Sequence, residues 1–94
     1  MNNAKDLNRP NLTVRMGERL RESRLRKGYT AKEVCKSLGI AQSALCQIEK
    51  GQISPSVYNM LRLCTVYEVS PSYVMLLDSS PVVDKQLLVK LLEY

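Results

Sequence analysis

Residues 30–51, TAKEVCKSLGIAQSALCQIEKG, read as helix, tight turn, helix. Thr30 suits a helix N-cap, and Glu33 three positions later completes a capping box. Val34, Cys35 and Leu38 then form an apolar stripe at helical spacing. Gly39 follows where a short turn needs a left-handed backbone, which glycine adopts without steric cost. Ile40 returns to the core. A second helix, 42–50, buries Leu45 and Ile48 and leaves Gln42, Ser43, Cys46, Gln47 and Lys50 on its other sides.

Two short helices joined by a glycine turn make the unit that lays its second helix in the DNA major groove. The stretch resembles the helix-turn-helix of the Cro/repressor-type (XRE-like) DNA-binding family. The matching residues are Gly17, Leu20 and Arg24, then Val34, Cys35, Leu38, Gly39 and Ile40, then Leu45, Ile48, Glu49, Gly51 and Pro55. The likeness spans about residues 14–77. It implies an all-α fold: a compact five-helix, lambda-repressor-like domain with an additional C-terminal amphipathic helix. The expected layout is a flexible arm over 1–13, the DNA-binding domain over 14–79, and a terminal helix over 80–94.

Ninety-four residues suffice for one small domain, and the 45% apolar content favours folding. No run of 18 apolar residues and no apolar leader are present. The three cysteines show no metal-ligand spacing and read as reduced thiols, so the expected location is cytoplasmic. Histidine is absent, which removes the commonest general base and metal ligand. No phosphate loop or nucleophile motif stands out. The expectation is therefore a binding protein rather than an enzyme, without cofactor or metal.

Charge is divided along the chain. Residues 1–52 carry eleven Lys/Arg against five Asp/Glu, a net +6, and residues 53–94 carry three against four, a net −1. A basic half beside a near-neutral apolar half suggests one nucleic-acid face and one packing or assembly face.

Thr13 is the expected cap of a first helix ending near Lys27, with Gly17, Leu20 and Ser23 inward. Pro10 disfavours helix in the residue before it, so 1–13 reads as a loose arm: first as a frayed chain end without a role, and alternatively as a basic arm whose Lys5 and Arg9 reach phosphates or a minor groove. The family places a larger apolar residue where Ser23 stands, which predicts a thin core there. Arg15, Arg19, Arg21, Arg26 and Lys27 read mostly as a solvated face. The resemblance pairs Arg24 with Glu49, tying the first helix to the reading helix. Tyr29 is expected to plug the core. Ser54-Pro55, Ser70-Pro71 and Ser80-Pro81 each read as a Ser cap with Pro at the first helical position. The fourth helix, 55–67, is expected to bury Val57, Met60, Leu61 and Cys64, and a short fifth, 71–77, to add Tyr73, Val74 and Leu76 or Leu77. In the tail, Val83, Leu87, Leu88, Leu91 and Leu92 form an apolar face. Such a helix must pack somewhere, and it reads as a dimerisation helix that supplies the two-fold for reading an inverted repeat, with folding back on its own domain as the alternative.

Residue by residue, the resemblance implies base reading by Ala41, Gln42, Ser43, Cys46 and Gln47. Glutamine can bond adenine in bidentate fashion, serine serves either role, and alanine offers a methyl. Phosphate contacts are implied at Thr30, Ala31 and Lys32, and at Lys50, Gln52 and Ser54. The partners expected are double-stranded DNA and a second copy of the chain, with no membrane. Another class remains open: a protein-interaction module, such as an antitoxin or adaptor, whose terminal helix binds a partner protein.

Overall fold

The computed structural model describes residues 9–93. Lys5, and the side chains of Arg9 and Leu91, lie outside the described part. The elements are six helices in order: α1 (Arg9–Lys27), α2 (Ala31–Leu38), α3 (Gln42–Glu49), α4 (Val57–Tyr67), α5 (Pro71–Val74) and α6 (Lys85–Glu93). Among the described residues no helix is long and apolar enough to cross a membrane.

The first helix begins four residues before Thr13. A proline disfavours helix in the residue ahead of it but fits the opening turn, where its missing N–H has no helical partner to lose. Pro10 takes that second role. Thr13 is therefore interior to α1. It is buried, with its hydroxyl 3.3 Å from that of Ser54.

The start of α4 also moves. Ser56, not Ser54, is its N-cap, accepting the Asn59 N–H at 3.1 Å. Val57 then falls in the opening turn and is 70% exposed, against the expectation that it is buried. Ser70-Pro71 behaves as expected, with Ser70 accepting the Ser72 N–H at 3.1 Å and Pro71 opening α5. This helix is one turn long and ends before Leu77, which is exposed. Ser80-Pro81 starts nothing. Instead the Asp84 carboxylate accepts from the N–H groups of Gln86 and Leu87, at 3.0 and 3.3 Å, and α6 opens at Lys85. A charged acceptor is favoured at the positive end of a helix.

Leu20, Leu45, Leu63, Cys64 and Val74 are fully buried at the centre of the fold, with Tyr67 beside them at 1% exposure. Tyr67 takes the aromatic place in the core that was expected of Tyr29, whose side chain stands at the surface. Cys35 and Cys64 pack as small apolar side chains, and burial pushes the Cys64 thiol up to about 12. Ser23 is buried as well. Its hydroxyl donates to the Arg19 carbonyl at 2.7 Å. Beside it opens a surface cleft of about 380 Å³, also lined by Lys27, Tyr67, Glu68 and Pro81.

Arg19 is no solvated charge. Its guanidinium lies 4.3 Å from the centre of the Tyr73 ring and donates to the carbonyls of Tyr73 and Asp78, fastening α5 to α1. The terminal helix folds back on α4. Leu88 is 2% exposed and joins the core, and Val83 packs against it, so these two residues are committed within the domain.

Helices α1 and α3 meet at Gly17. A β-carbon there would lie 2.3 Å from the Ile48 carbonyl oxygen and 2.9 Å from that of Glu49. Both are backbone atoms and cannot swing aside. Gly17→Ala should therefore destabilise the fold by about 2–3 kcal/mol, as overpacking does. Urea unfolding monitored by circular dichroism measures it, and an unchanged midpoint would show that the helices separate freely.

Candidate nucleic-acid interface

The capping box at α2 is complete. The Thr30 hydroxyl accepts the Glu33 N–H at 3.1 Å, and the Thr30 N–H donates to the Glu33 carboxylate at 2.8 Å. These bonds hold the Glu33 carboxyl below its ordinary value, the backbone bond first. Gly39 caps α2 with φ 68°, and its N–H bonds to the Cys35 carbonyl. The chain turns through Ile40 and Ala41 into α3.

Leu45 and Ile48 hold the inner side of α3 in the core. The outer side presents Ala41, Gln42, Ser43, Cys46 and Gln47, and all five are exposed. The structure thus gathers the five expected readers on one edge. Ala41, at the N-cap, makes no side-chain capping bond. The first N–H groups of α3 therefore keep their capacity to meet an anion or a base edge.

The residues expected at phosphates form two clusters. Thr30, Ala31 and Lys32 open α2, and Lys50, Gln52 and Ser54 follow α3. All are exposed except half-buried Ala31. Glu33 consumes part of the positive end of α2, so this start is a weaker anion site than an uncapped one, and Lys32 offsets it. The uncapped start of α3 was not anticipated. Its signal was the Ala41 methyl standing where a capping side chain usually stands.

The C-terminal end of α3 is fixed by a two-pronged ion pair. Arg24 Nε meets Glu49 Oε2 at 2.7 Å, and Nη2 meets Oε1 at 3.0 Å. The third prong, Nη1, donates to the Tyr29 carbonyl at 2.9 Å. Both side chains are about nine-tenths buried. The bond to Glu49 raises the Arg24 guanidinium further above its ordinary value. The whole guanidinium is thereby engaged in aligning α1, the start of α2, and α3.

The helix-turn-helix domain family matches residues 15–74. The chain belongs to the Cro/repressor-type helix-turn-helix family. It is 35% identical over 60 residues to the HTH-type transcriptional regulator ImmR of Bacillus subtilis (strain 168), covering 64% of this chain and 47% of that protein. It is 33% identical over 76 residues to the HTH-type transcriptional regulator DicA of Escherichia coli (strain K12), covering 81% of this chain and 52% of that protein. The chain thus spans about half the length of the curated relatives it matches. No solved structure matches it.

Removing one partner of the buried pair leaves the other charge unpaired. Glu49→Ala should cost about 3–5 kcal/mol of stability. The double change Arg24→Met, Glu49→Leu should recover much of that loss, because no buried charge remains. Thermal unfolding of the single and double variants compares them, and equal losses would mean the pair is solvated.

Proposed function

We propose that the protein is a sequence-specific double-stranded DNA-binding transcription regulator, acting as a dimeric repressor that reads an inverted repeat with α3 in the major groove. The observation that carries this reading is the polar outer edge of α3, which stands clear on a helix clamped from behind. On this reading Gln42 and Gln47 bond base edges, while Ala41, Ser43 and Cys46 contact bases at the same edge. The N-termini of α2 and α3, with Lys32 and the 50–54 loop, hold phosphates. The protein acts by binding rather than catalysis, in the cytoplasm.

The two-fold comes from the other half of the molecule. A groove of about 440 Å³ runs between α4, α5 and α6, lined by Val57, Met60, Leu61, Pro71, Met75 and Leu87. Val57 is 70% exposed and Leu87 56%. Leu88 of the expected dimer face is used within the domain, which leaves Leu87 as the projecting residue. Among the described residues, Asp84 is the charged one in the lining. Met75 and Val82 extend the exposed apolar surface beside the groove. A two-fold would let the Leu87 of each copy enter the groove of the other.

Selection of bound sequences from random duplex DNA tests the reading. An inverted repeat with half-site centres about one helical turn apart, roughly 34 Å, is expected. Random recovery with strong salt dependence would reduce the function to non-specific binding. Gln47→Ala should lower the preference for the selected site over random DNA by roughly 5- to 150-fold, since one good bidentate pair contributes about 1–3 kcal/mol of discrimination. A parallel fall in both affinities would remove Gln47 from the readers.

Leu87→Lys should turn a dimer into a monomer in sedimentation equilibrium while the protein stays folded and binds an isolated half-site. A wild-type monomer, or one that purifies in a defined complex with a different protein, would give the groove another occupant.

A further inference from the structure

We propose that Arg62 of α4 is a positioning residue for the reading helix, holding the N-terminal end of α3 as Arg24 holds its C-terminal end. The proposal rests on α3 being the element that reads DNA. One arm of the Arg62 guanidinium donates to the Leu38 carbonyl. The other lies 3.4 Å from the Asn59 side-chain oxygen, and the plane covers the Tyr58 ring, 5.0 Å from its centre.

Leu38 is the last residue of α2, directly before the Gly39 turn. The final carbonyls of a helix lack helical donors and carry its negative end, so a cation there is favoured twice. The turn that follows sets the angle at which Gln42 and Ser43 leave the protein surface. Helices α2 and α4 scarcely touch through their backbones. Beside them lies a cleft of about 280 Å³, lined by Tyr29, Glu33, Val34, Ser37 and Val66. Arg62 carries a tie across from α4 to the end of α2. Tyr58 and Asn59 hold the guanidinium and restrict its swing into solvent. The tie therefore fixes the turn without any contact to DNA.

The experiment compares wild type, Arg62→Gln and Arg62→Lys. Affinities for the selected site and for random duplex are measured across a salt series, with amide exchange and thermal unfolding of the free proteins alongside. For Arg62→Gln, the selected-to-random ratio should fall about fivefold or more, because base contacts demand geometry held to about half an ångström. Random-duplex affinity and its salt slope should not change. The Gly39 and Ile40 amides should exchange about tenfold faster, as in a local opening, while the core amides keep their protection. Arg62→Lys should restore part of the ratio, since an ammonium still reaches a carbonyl but does not stack as a plane.

A shallower salt slope with equal loss on both duplexes would make Arg62 a phosphate contact and overturn the proposal. An unchanged ratio, or uniformly faster exchange with a lower melting temperature, would also overturn it. Should wild type prefer no sequence, the DNA-reading function fails separately, and the exchange at Gly39 and Ile40 still decides whether Arg62 holds the turn.

Discussion

A carboxylate and a guanidinium withdrawn from water, Glu49 and Arg24, set the geometry on which the other surfaces depend. At eight residues α3 is too short to be stable alone. Leu45 and Ile48 anchor one side of it, but apolar contacts permit sliding and rotation. The forked pair does not: two parallel bonds fix both distance and orientation. Its net contribution to stability is small, because desolvation offsets the attraction. Its effect is alignment. Gly17 makes that alignment possible by letting the backbones of α1 and α3 approach where a side chain would collide.

The sequence was most legible where a bond is local. The Thr30–Glu33 box, the Gly39 turn and the Ser70-Pro71 start each join residues within a few positions, and the structure contains all three. The Ser-Pro pattern misled twice because a better cap lay just beyond: Ser56 with Asn59, and Asp84 with Gln86 and Leu87. The first shift exposed Val57. Pro10 was read as a barrier when it stands inside the first turn. Tyr67 fills the core, while Tyr29 stands at the surface.

The candidate site was legible in its exposed edge, since alternation of Leu45 and Ile48 with polar residues specifies which side of α3 faces out. Arg19 and Arg62 were not legible. Each ends on backbone carbonyls distant in the chain, and a carbonyl leaves no mark in a sequence. Arg19, which reads as part of a solvated face, is a fastener between helices. The split in charge was legible from composition alone. The basic half contains α1 to α3, and the neutral half contains α4 to α6 with their apolar groove.

The last helix is held lightly. Among its described side chains Leu88 is the one sunk in the core. An element so anchored detaches in a transition of its own, well below the free energy that unravels the whole chain. Detachment would bare Leu88 beside Leu87 and leave α1 to α3 assembled. Fraying of α6 thus spares the clamp between α1 and α3.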